Sequence, residues 1–269
     1  MYYIDFKTSF NKLELSEETF KIIEEFGINL KDIAIGEFSG KDSAAAIIEA
    51  FKEVDVILPV VAFTGTDYGD KNIFYKNWEL INKRVKNLYN DDKILLPLHY
   101  MFEPKLWNAL NGRFVSLIIK KFGFYTPCIG CHAYLRILRI PLSKQLGRII
   151  IGGERVYHNG DFKIDQIEMV LKVYEKICKD FNVELKLPIK YVKENKKIKE
   201  IIGVDWEQGK RQFSCVFSGN YRDKEGKVIF EEEKVRKFLD EFIYPVSVEI
   251  IKRCYKGDFR YIEIVKEFI

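Results

Sequence analysis

Short runs rich in β-branched residues alternate along the chain with longer segments in which apolar residues recur every three or four positions. This alternation is typical of βαβ units, which place parallel strands in one sheet with helices on both faces. The predicted strands are residues 32–37, 56–63, 93–98, 148–151 and 183–189. The predicted helices are residues 17–26, 42–52, 71–89, 104–121, 131–146 and 164–181. The pattern therefore predicts an α/β fold with an open, Rossmann-like parallel sheet.

The pattern changes beyond about residue 188, where a lysine-rich stretch precedes a polar, hairpin-like segment at 219–227. Two further helices are predicted at 231–242 and 245–255, in a region that we interpret as a mostly helical appendage. We divide the chain into an N-terminal helical extension at 1–30, a central α/β domain at 31–205 and a C-terminal appendage at 206–269.

The length and composition limit the classes of protein to which the chain can belong. At 269 residues, 47% of them hydrophobic, the chain is long enough to bury a full core. No apolar run approaches the roughly 20 residues that cross a bilayer, and the N-terminus lacks the basic start and long apolar stretch of a signal peptide. We therefore expect a cytoplasmic protein with no membrane partner.

A buried run at 33–38 ends in Ser39-Gly40-Lys41-Asp42-Ser43, and small, helix-favouring residues follow. Such a junction of strand, loop and helix directs unpaired backbone N–H groups and the positive helix end outward, which suits a phosphate group. Gly40 permits close approach of the backbone, both serine hydroxyls can donate to phosphate oxygens, and Lys41 adds a mobile positive charge. Asp42 is a candidate helix cap or magnesium ligand. An ordinary capped βα turn uses the same residue types, and the Walker A pattern does not fit.

The segment Phe38-Ser39-Gly40-Lys41-Asp42-Ser43 resembles the SGGxDS loop of the PP-loop ATP pyrophosphatases, although it has one glycine where that family usually has two. The family includes tRNA thiolation enzymes, 7-cyano-7-deazaguanine synthase and the phosphoadenylylsulfate reductases. Two further segments resemble later strand ends of the family, namely 62–67 and 150–155, so that the resemblance spans about residues 32–202.

The resemblance implies that ATP is cleaved between its α- and β-phosphates, with Mg²⁺ held by Asp42 or Asp67, while a substrate oxygen attacks the α-phosphorus to give an adenylated intermediate. Asp42 is the candidate catalytic residue of the loop. The implied nucleotide-binding residues are Phe38, Ser39, Gly40, Lys41, Asp42, Ser43, Thr64, Gly65, Asp67, Gly152, Gly153 and Glu154.

The five cysteines fall into two groups. Cys178 and Cys254 share helical apolar stripes with core residues, so we expect them to be buried. Cys128 and Cys131 form a Cys-x-x-Cys pair at a predicted helix start, where the helix end and a nearby arginine are expected to lower the thiol pKa. Cys215 is the remaining thiol.

The Cys-x-x-Cys pair and the basic helix after it resemble those of the two-thiocytidine and two-thiouridine tRNA synthetases, in which a distant third cysteine completes an iron–sulfur site. The resemblance implies a [4Fe–4S] cluster on Cys128, Cys131 and Cys215 that binds sulfide from a sulfur donor. A persulfide carrier with a resolving thiol and a zinc site, for which His132 is a candidate ligand, remain as alternatives.

Nucleic-acid binding is suggested by local charge only. The net charge of +4, from 44 Lys and Arg and 40 Asp and Glu, is too small to indicate it, but residues 186–211 contain eight basic and four acidic residues. These lysines, with Arg136, Arg139, Lys144 and Arg148, are candidate contacts to RNA phosphates. A strand with a solvated lysine face is the alternative.

We therefore predict an ATP-dependent enzyme that inserts sulfur into a tRNA base. The alternatives are an amide- or nitrile-forming ligase or a nucleotidyl-sulfate reductase acting on a small molecule, and a non-catalytic nucleotide-binding protein with a degenerate loop. A homodimer is an open option.

Overall fold

The computed structural model describes residues 1–204, 206, 211–228 and 230–269. Seven strands form the main sheet: β1 (Tyr2–Ile4), β2 (Ile33–Glu37), β3 (Val56–Phe63), β5 (Ile94–Leu95), β6 (His99–Phe102), β7 (Ile149–Ile151) and β8 (Glu184–Lys186). They pair in the order β1-β6-β3-β2-β7-β8, with β5 beside the start of β3, and every pairing is parallel. Two short strands, β4 (Asp67–Tyr68) and β9 (Ser214–Cys215), pair antiparallel outside this sheet.

The α-helices of the described residues are α1 (Glu17–Glu25), α2 (Lys41–Ala50), α3 (Asn72–Tyr89), α4 (Pro104–Asn111), α5 (Val115–Phe122), α6 (Pro127–Gln145), α7 (Glu168–Asp180), α8 (Asn195–Ile202), α9 (Glu232–Phe238), α10 (Tyr244–Cys254) and α11 (Tyr261–Lys266). A π-helical turn at Leu239–Ile243 joins α9 to α10. No helix in the described ranges is long and apolar enough to cross a membrane.

The two central strands are buried on both faces. Side chains of β2 and β3 alternate between two hydrophobic clusters, with Ile35 and Leu58 in one and Ala34 and Ile57 in the other. The sequences of parallel strands that helices cover on both faces are continuous apolar runs, and the sequences of β2 and β3 are of this kind. The predicted α/β class and parallel sheet are confirmed.

The chain changes direction within the sheet between β2 and β7. The strand that follows β2 in sequence, β3, lies on one side of it, whereas β7 lies on the other. The loops after two neighbouring strands therefore diverge, and a crevice opens at their carboxyl ends. The segment after β2 is Phe38–Gly40 and the segment after β7 begins at Gly152.

The C-terminal helices belong to the main core. Val235, Phe242 and Ile251 pack in the same cluster as residues of β2 and β6. A single antiparallel bridge between Arg222 and Val228 lies at the predicted hairpin-like segment. The region predicted as an appendage is helical at its end, and it completes one face of the sheet.

Several predicted boundaries were wrong. The region 1–30 contains the predicted helix, but it opens with β1, which extends the main sheet, and β6 was not predicted. The predicted helix at 104–121 is two helices, because α4 ends at a glycine, Gly112. Helix α6 begins at Pro127, not at Cys131, because Thr126 caps it and accepts a hydrogen bond from Cys128 N. The predicted domain boundary at 205 lies outside the described residues.

Candidate functional site

A cavity of about 570 Å³ lies at the crevice beyond the carboxyl ends of β2 and β7. This volume suits a nucleotide-sized ligand. It is lined by most of the predicted site residues: Ser39, Gly40, Lys41, Asp42, Ser43, Thr64, Asp67, Cys128, Cys131, Gly153, Glu154 and Cys215. Phe38, Gly65 and Gly152 do not belong to its described lining, and Phe38 packs in the hydrophobic core instead.

One hydroxyl group, that of Ser43, holds the loop before α2 in shape. Ser43 Oγ accepts hydrogen bonds from the backbone N–H groups of Ser39 and Gly40, both at 2.9 Å, and donates to the Gly40 carbonyl at 2.8 Å. Ser43 therefore shapes the loop, and its hydroxyl is not the free phosphate donor that the sequence suggested. The first amides of α2 have no partner within the helix and are available to an anionic group.

Gly153 brings the segment after β7 against this loop. A Cβ atom at this position would lie 2.5 Å from Ser43 N and 2.8 Å from the Asp42 carbonyl carbon. Since both are backbone atoms, no rotamer change could relieve the overlap. Only glycine therefore permits this contact between the two loops.

Asp42 lies among positive charges. Its carboxylate is 3.3 Å from Arg155 Nε and 3.8 Å from Lys163 Nζ. Burial lowers the pKa of Lys41, while Asp42 raises it and Arg155 and Lys163 lower it further. The cations outnumber the carboxylate, so this end of the cavity favours an anionic ligand.

His158 is a further polar group in the wall beside these cations. Its pKa is lowered to about 4 by burial and by Lys163 and Arg155, so that it is neutral at physiological pH. Its Nε2 atom is buried without a hydrogen-bond partner among the described residues. It can therefore hydrogen-bond to a ligand.

Both candidate magnesium ligands already have polar neighbours, although Asp42 Oδ1 is buried without a hydrogen-bond partner among the described residues. Asp42 faces Arg155 and Lys163, and Asp67 Oδ2 accepts hydrogen bonds from the backbone N–H and the hydroxyl of Thr64. The arrangement does not fit a preformed magnesium site at either residue.

A chain of buried charges runs beneath the cavity. Arg136 donates to both Glu37 and Glu154, and Arg139 Nη1 lies 3.1 Å from Glu37 Oε1. Burial alone would raise the pKa of Glu154, but Arg136 and His132 hold it below its usual value. Buried charges are tolerated when each one has a partner, as here. Glu154, which was predicted to contact the nucleotide, is held in the wall of the cavity by these ion pairs.

His132 joins this network to the cavity. Its Nδ1 lies 2.9 Å from Glu154 Oε1 and its Nε2 lies 3.3 Å from Asp165 Oδ2. Burial lowers the pKa of His132, but Asp165 and Glu154 together raise it above its usual value. With a carboxylate at each ring nitrogen, His132 holds the wall together and has no free ring nitrogen for a metal ion.

His132→Gln should destabilise the protein more at about pH 6 than at about pH 9. A histidine whose pKa is raised on folding contributes its full stabilisation below its unfolded pKa of about 6.5 and loses it as the pH rises through the folded value. We expect the cost of the substitution to be larger at the lower pH by roughly 1 kcal/mol or more, as for hydrogen bonds to charged groups. Urea unfolding of both proteins at the two pH values measures it, and a cost independent of pH would show that His132 is neutral.

The three cysteines of the site converge from two segments. Cys128 and Cys131 lie in the first turns of α6, where residues three apart share a face. Cys128 Sγ accepts from Asn220 Nδ2 at 3.0 Å, and Cys215 Sγ lies 3.4 Å from Thr66 Oγ1. Cys178 and Cys254 are buried in the core, as predicted.

The expected lowering of the thiol pKa was wrong. Burial, together with a smaller effect of Asp165, raises the pKa of Cys128 to about 12. Burial also raises the pKa of Cys131, against a smaller opposite effect of Trp107. Desolvation of the thiolate therefore outweighs the helix N-terminus, and both thiols are protonated at neutral pH.

The thiols do not form a preassembled metal site. No group of three or more His, Cys, Asp and Glu side chains within the described parts of the chain is arranged to hold a metal ion. Cys128 and Cys215 have protein hydrogen-bond partners instead. Neither the predicted [4Fe–4S] cluster nor the zinc alternative is supported by this arrangement.

Three lysines of the basic stretch pair with carboxylates where the structure describes it. Lys186 pairs with Glu53 at 2.6 Å, Lys190 lies within 3.3 Å of Glu168 and Glu175, and Lys197 pairs with Glu200 at 3.5 Å. Lys210 lies outside the described residues. Of the four other candidate phosphate contacts, Arg136 and Arg139 are buried in the ion network. This surface therefore adds little to the case for RNA.

Other residues that line the cavity were not predicted from the sequence. Lys163, Asp165 and His158 lie in a segment without regular periodicity, and Trp107 and Phe217 read as ordinary apolar positions. The one signal in the sequence was the length of the connection between β7 and α7, residues 152–167, because long connections in an α/β fold are usually functional.

No protein-family model matches the chain. Over 268 residues it is 71% identical to "Uncharacterized protein MJ0009" of Methanocaldococcus jannaschii, covering 99% of this chain and 97% of that protein. A crystal structure of a 4-thiouridine synthetase–RNA complex with bound ATP is similar with a TM-score of 0.49 and 18% sequence identity. The match covers 84% of this chain and 53% of the solved chain, so this protein spans about half the length of that structure.

Proposed function

The chain belongs to the family of the uncharacterized protein MJ0009 of Methanocaldococcus jannaschii, and from the geometry of its cavity we propose that it is an ATP-dependent enzyme that adenylates a tRNA base and replaces an oxygen of that base by sulfur. ATP is cleaved to AMP and pyrophosphate. A persulfide donor supplies the sulfur.

One observation carries the proposal: the loop before α2 and three cysteines distant in sequence line a single cavity. Its cationic end, with Lys41, Arg155 and Lys163, suits a triphosphate. The same cavity is lined by Cys128, Cys131 and Cys215. A substrate bound in the cavity would meet both reactive partners.

The cationic end promotes the first step. The base oxygen attacks the α-phosphorus, the bond to the bridging oxygen breaks, and pyrophosphate leaves. Amides at the N-terminus of α2, together with Lys41 and Arg155, stabilise the charge that develops on pyrophosphate. The base oxygen becomes part of a good leaving group, AMP.

The thiols perform the second step. One cysteine carries a persulfide, formed by an external persulfide donor, and its outer sulfur attacks the activated carbon. A carbon–sulfur bond forms and AMP leaves. A second cysteine then attacks the inner sulfur, which releases the thiolated base and leaves a disulfide between the two cysteines. An external dithiol reduces this disulfide and completes the cycle.

Lys41→Ala should lower kcat/KM for ATP by about 10- to 100-fold, which corresponds to one hydrogen bond from a charged group to phosphate. Purified protein is incubated with ATP and total tRNA, and the nucleotide products are separated by chromatography. Lys52→Ala, which removes an exposed lysine just beyond the other end of α2, is the matched control and should react as the wild type. Formation of ADP and phosphate by the wild type, or no ATP consumption, would refute the proposal.

A ligase that acts on a small molecule is the second candidate. The raised pKa values of Cys128 and Cys131 favour it, because thiols that stay protonated at neutral pH are typical of structural cysteines. Such an enzyme would share the ATP step and would not require the thiols, so cysteine substitutions distinguish the two functions.

A further inference from the structure

Two aromatic rings form part of the cavity wall beside the cysteines. The rings of Trp107, in α4, and Phe217, in the turn after β9, are stacked with an interplanar angle of 16° and centroids 6.2 Å apart. Both side chains line the cavity, and Phe217 is 41% exposed. A large apolar ring left exposed in a cavity offers a surface on which another planar ring can stack.

The same two residues contact the three thiols. The backbone N–H of Phe217 donates to Cys215 Sγ at 3.4 Å, and the Cys128 thiol donates to the Phe217 carbonyl at 4.0 Å. Trp107 lies close enough to Cys131 to lower the pKa of its thiol. A ring stacked on this pair would therefore lie close to the sulfur atoms.

A cationic side chain lines the cavity together with the aromatic pair. Arg222 lines the same cavity as Trp107 and Phe217, and its guanidinium pairs with Asp161 at 2.5 Å. Aromatic faces that bind bases, with cationic side chains that bind the neighbouring phosphates, are the usual components of a site for single-stranded nucleic acid. A free heterocycle has no phosphates, so it would contact only the aromatic rings and not the cationic side chains.

We propose that Trp107 and Phe217 form the acceptor subsite, in which one unpaired nucleobase of an RNA strand stacks on Phe217 with its reacting edge toward the three cysteines. This inference rests on the proposed function, since sulfur transfer requires the acceptor near both ATP and the thiols. A base within a duplex cannot enter, because it must first leave its stack and its partner. Stacking alone tolerates any base, so this subsite selects for unpaired bases and not for sequence.

The test is the binding of a fluorescently labelled single-stranded RNA of about ten nucleotides, measured by anisotropy without ATP. We expect Phe217→Ala to weaken binding by about tenfold or more, the effect of losing one stacked base, and Phe217→Tyr to bind as tightly as the wild type. Phe26→Ala removes a phenyl ring that is 57% exposed and outside the cavity lining, and should also bind as tightly as the wild type. A duplex of the same sequence should bind more weakly.

Equal affinity of Phe217→Ala and the wild type for the single strand would overturn the subsite. So would equal affinity of the wild type for duplex and single strand, or failure of the single strand to bind. Formation of AMP from ATP by the wild type with total tRNA is measured in parallel. Its absence refutes the proposed function, whereas AMP formation with RNA binding that is insensitive to Phe217→Ala refutes the subsite alone.

Discussion

Among Cys128→Ala, Cys131→Ala and Cys215→Ala, the two variants that remove the persulfide carrier and the resolving thiol should each lower sulfur incorporation into tRNA by at least about 1000-fold, as expected when a reacting nucleophile is removed. One thiol carries the transferred sulfur and the second attacks the carrier's own sulfur to release the product, whereas the third lies in the same cavity and has no step of its own. Cleavage of ATP should fall much less, because the pyrophosphate is held by the loop before α2 and not by the thiols. The variants are incubated with ATP, total tRNA, a persulfide donor and a dithiol, and the digested nucleosides are analysed by mass spectrometry.

Cys178→Ala and Cys254→Ala are the matched controls. Both side chains are buried in the core, at 0% and 2% exposure, so their substitution should cost about 1 kcal/mol of stability and leave sulfur incorporation unchanged. If the three site variants retain wild-type sulfur incorporation, the thiols are structural. The ligase would then be the better interpretation of the cavity.

The sequence predicts the centre of the sheet better than its edge. Strand β3 matches its prediction and β2 differs by one residue, because a strand buried on both faces is a continuous apolar run that can be seen locally. Strands β1 and β6 were missed. They have three and four residues and are formed by pairing across distant parts of the chain, β1 with β6 and β6 also with β3.

For the site, the sequence identified the segments that line the cavity but not the surroundings of their side chains. The loop before α2, the Cys-x-x-Cys pair and Cys215 do line one cavity, yet the direction of the thiol pKa shifts was wrong. Proximity to a helix N-terminus can be read from sequence, whereas the burial that raises the pKa of Cys128 depends on side chains from several elements. The pairing of Asp42 with Arg155 and Lys163 was likewise invisible, because it joins segments from two different strand ends.

Gly153→Ala should lower AMP formation from ATP by about 100-fold in a folded protein. The added Cβ would lie 2.5 Å from Ser43 N and 2.6 Å from Ser43 Cα. These backbone atoms belong to the first turn of α2, so the helix N-terminus must shift to relieve the overlap. A displacement of about 1 Å at groups that position a reacting phosphate is enough for a loss of this size. Steady-state kinetics of AMP formation and thermal unfolding are measured together.

Gly27→Ala is the control that separates a loss of stability from a displacement of the N-terminus of α2. Gly27 has a positive φ of 61°, and a Cβ atom added there would have no neighbour within 4 Å, so alanine strains the backbone without touching other side chains. We expect this variant to lose about 1 kcal/mol of stability and to keep wild-type AMP formation. Gly153→Ala must therefore lose far more activity than Gly27→Ala at comparable stability. Wild-type kinetics in Gly153→Ala would show that the N-terminus of α2 does not position the nucleotide, and the phosphate-binding role of the loop would have to be abandoned.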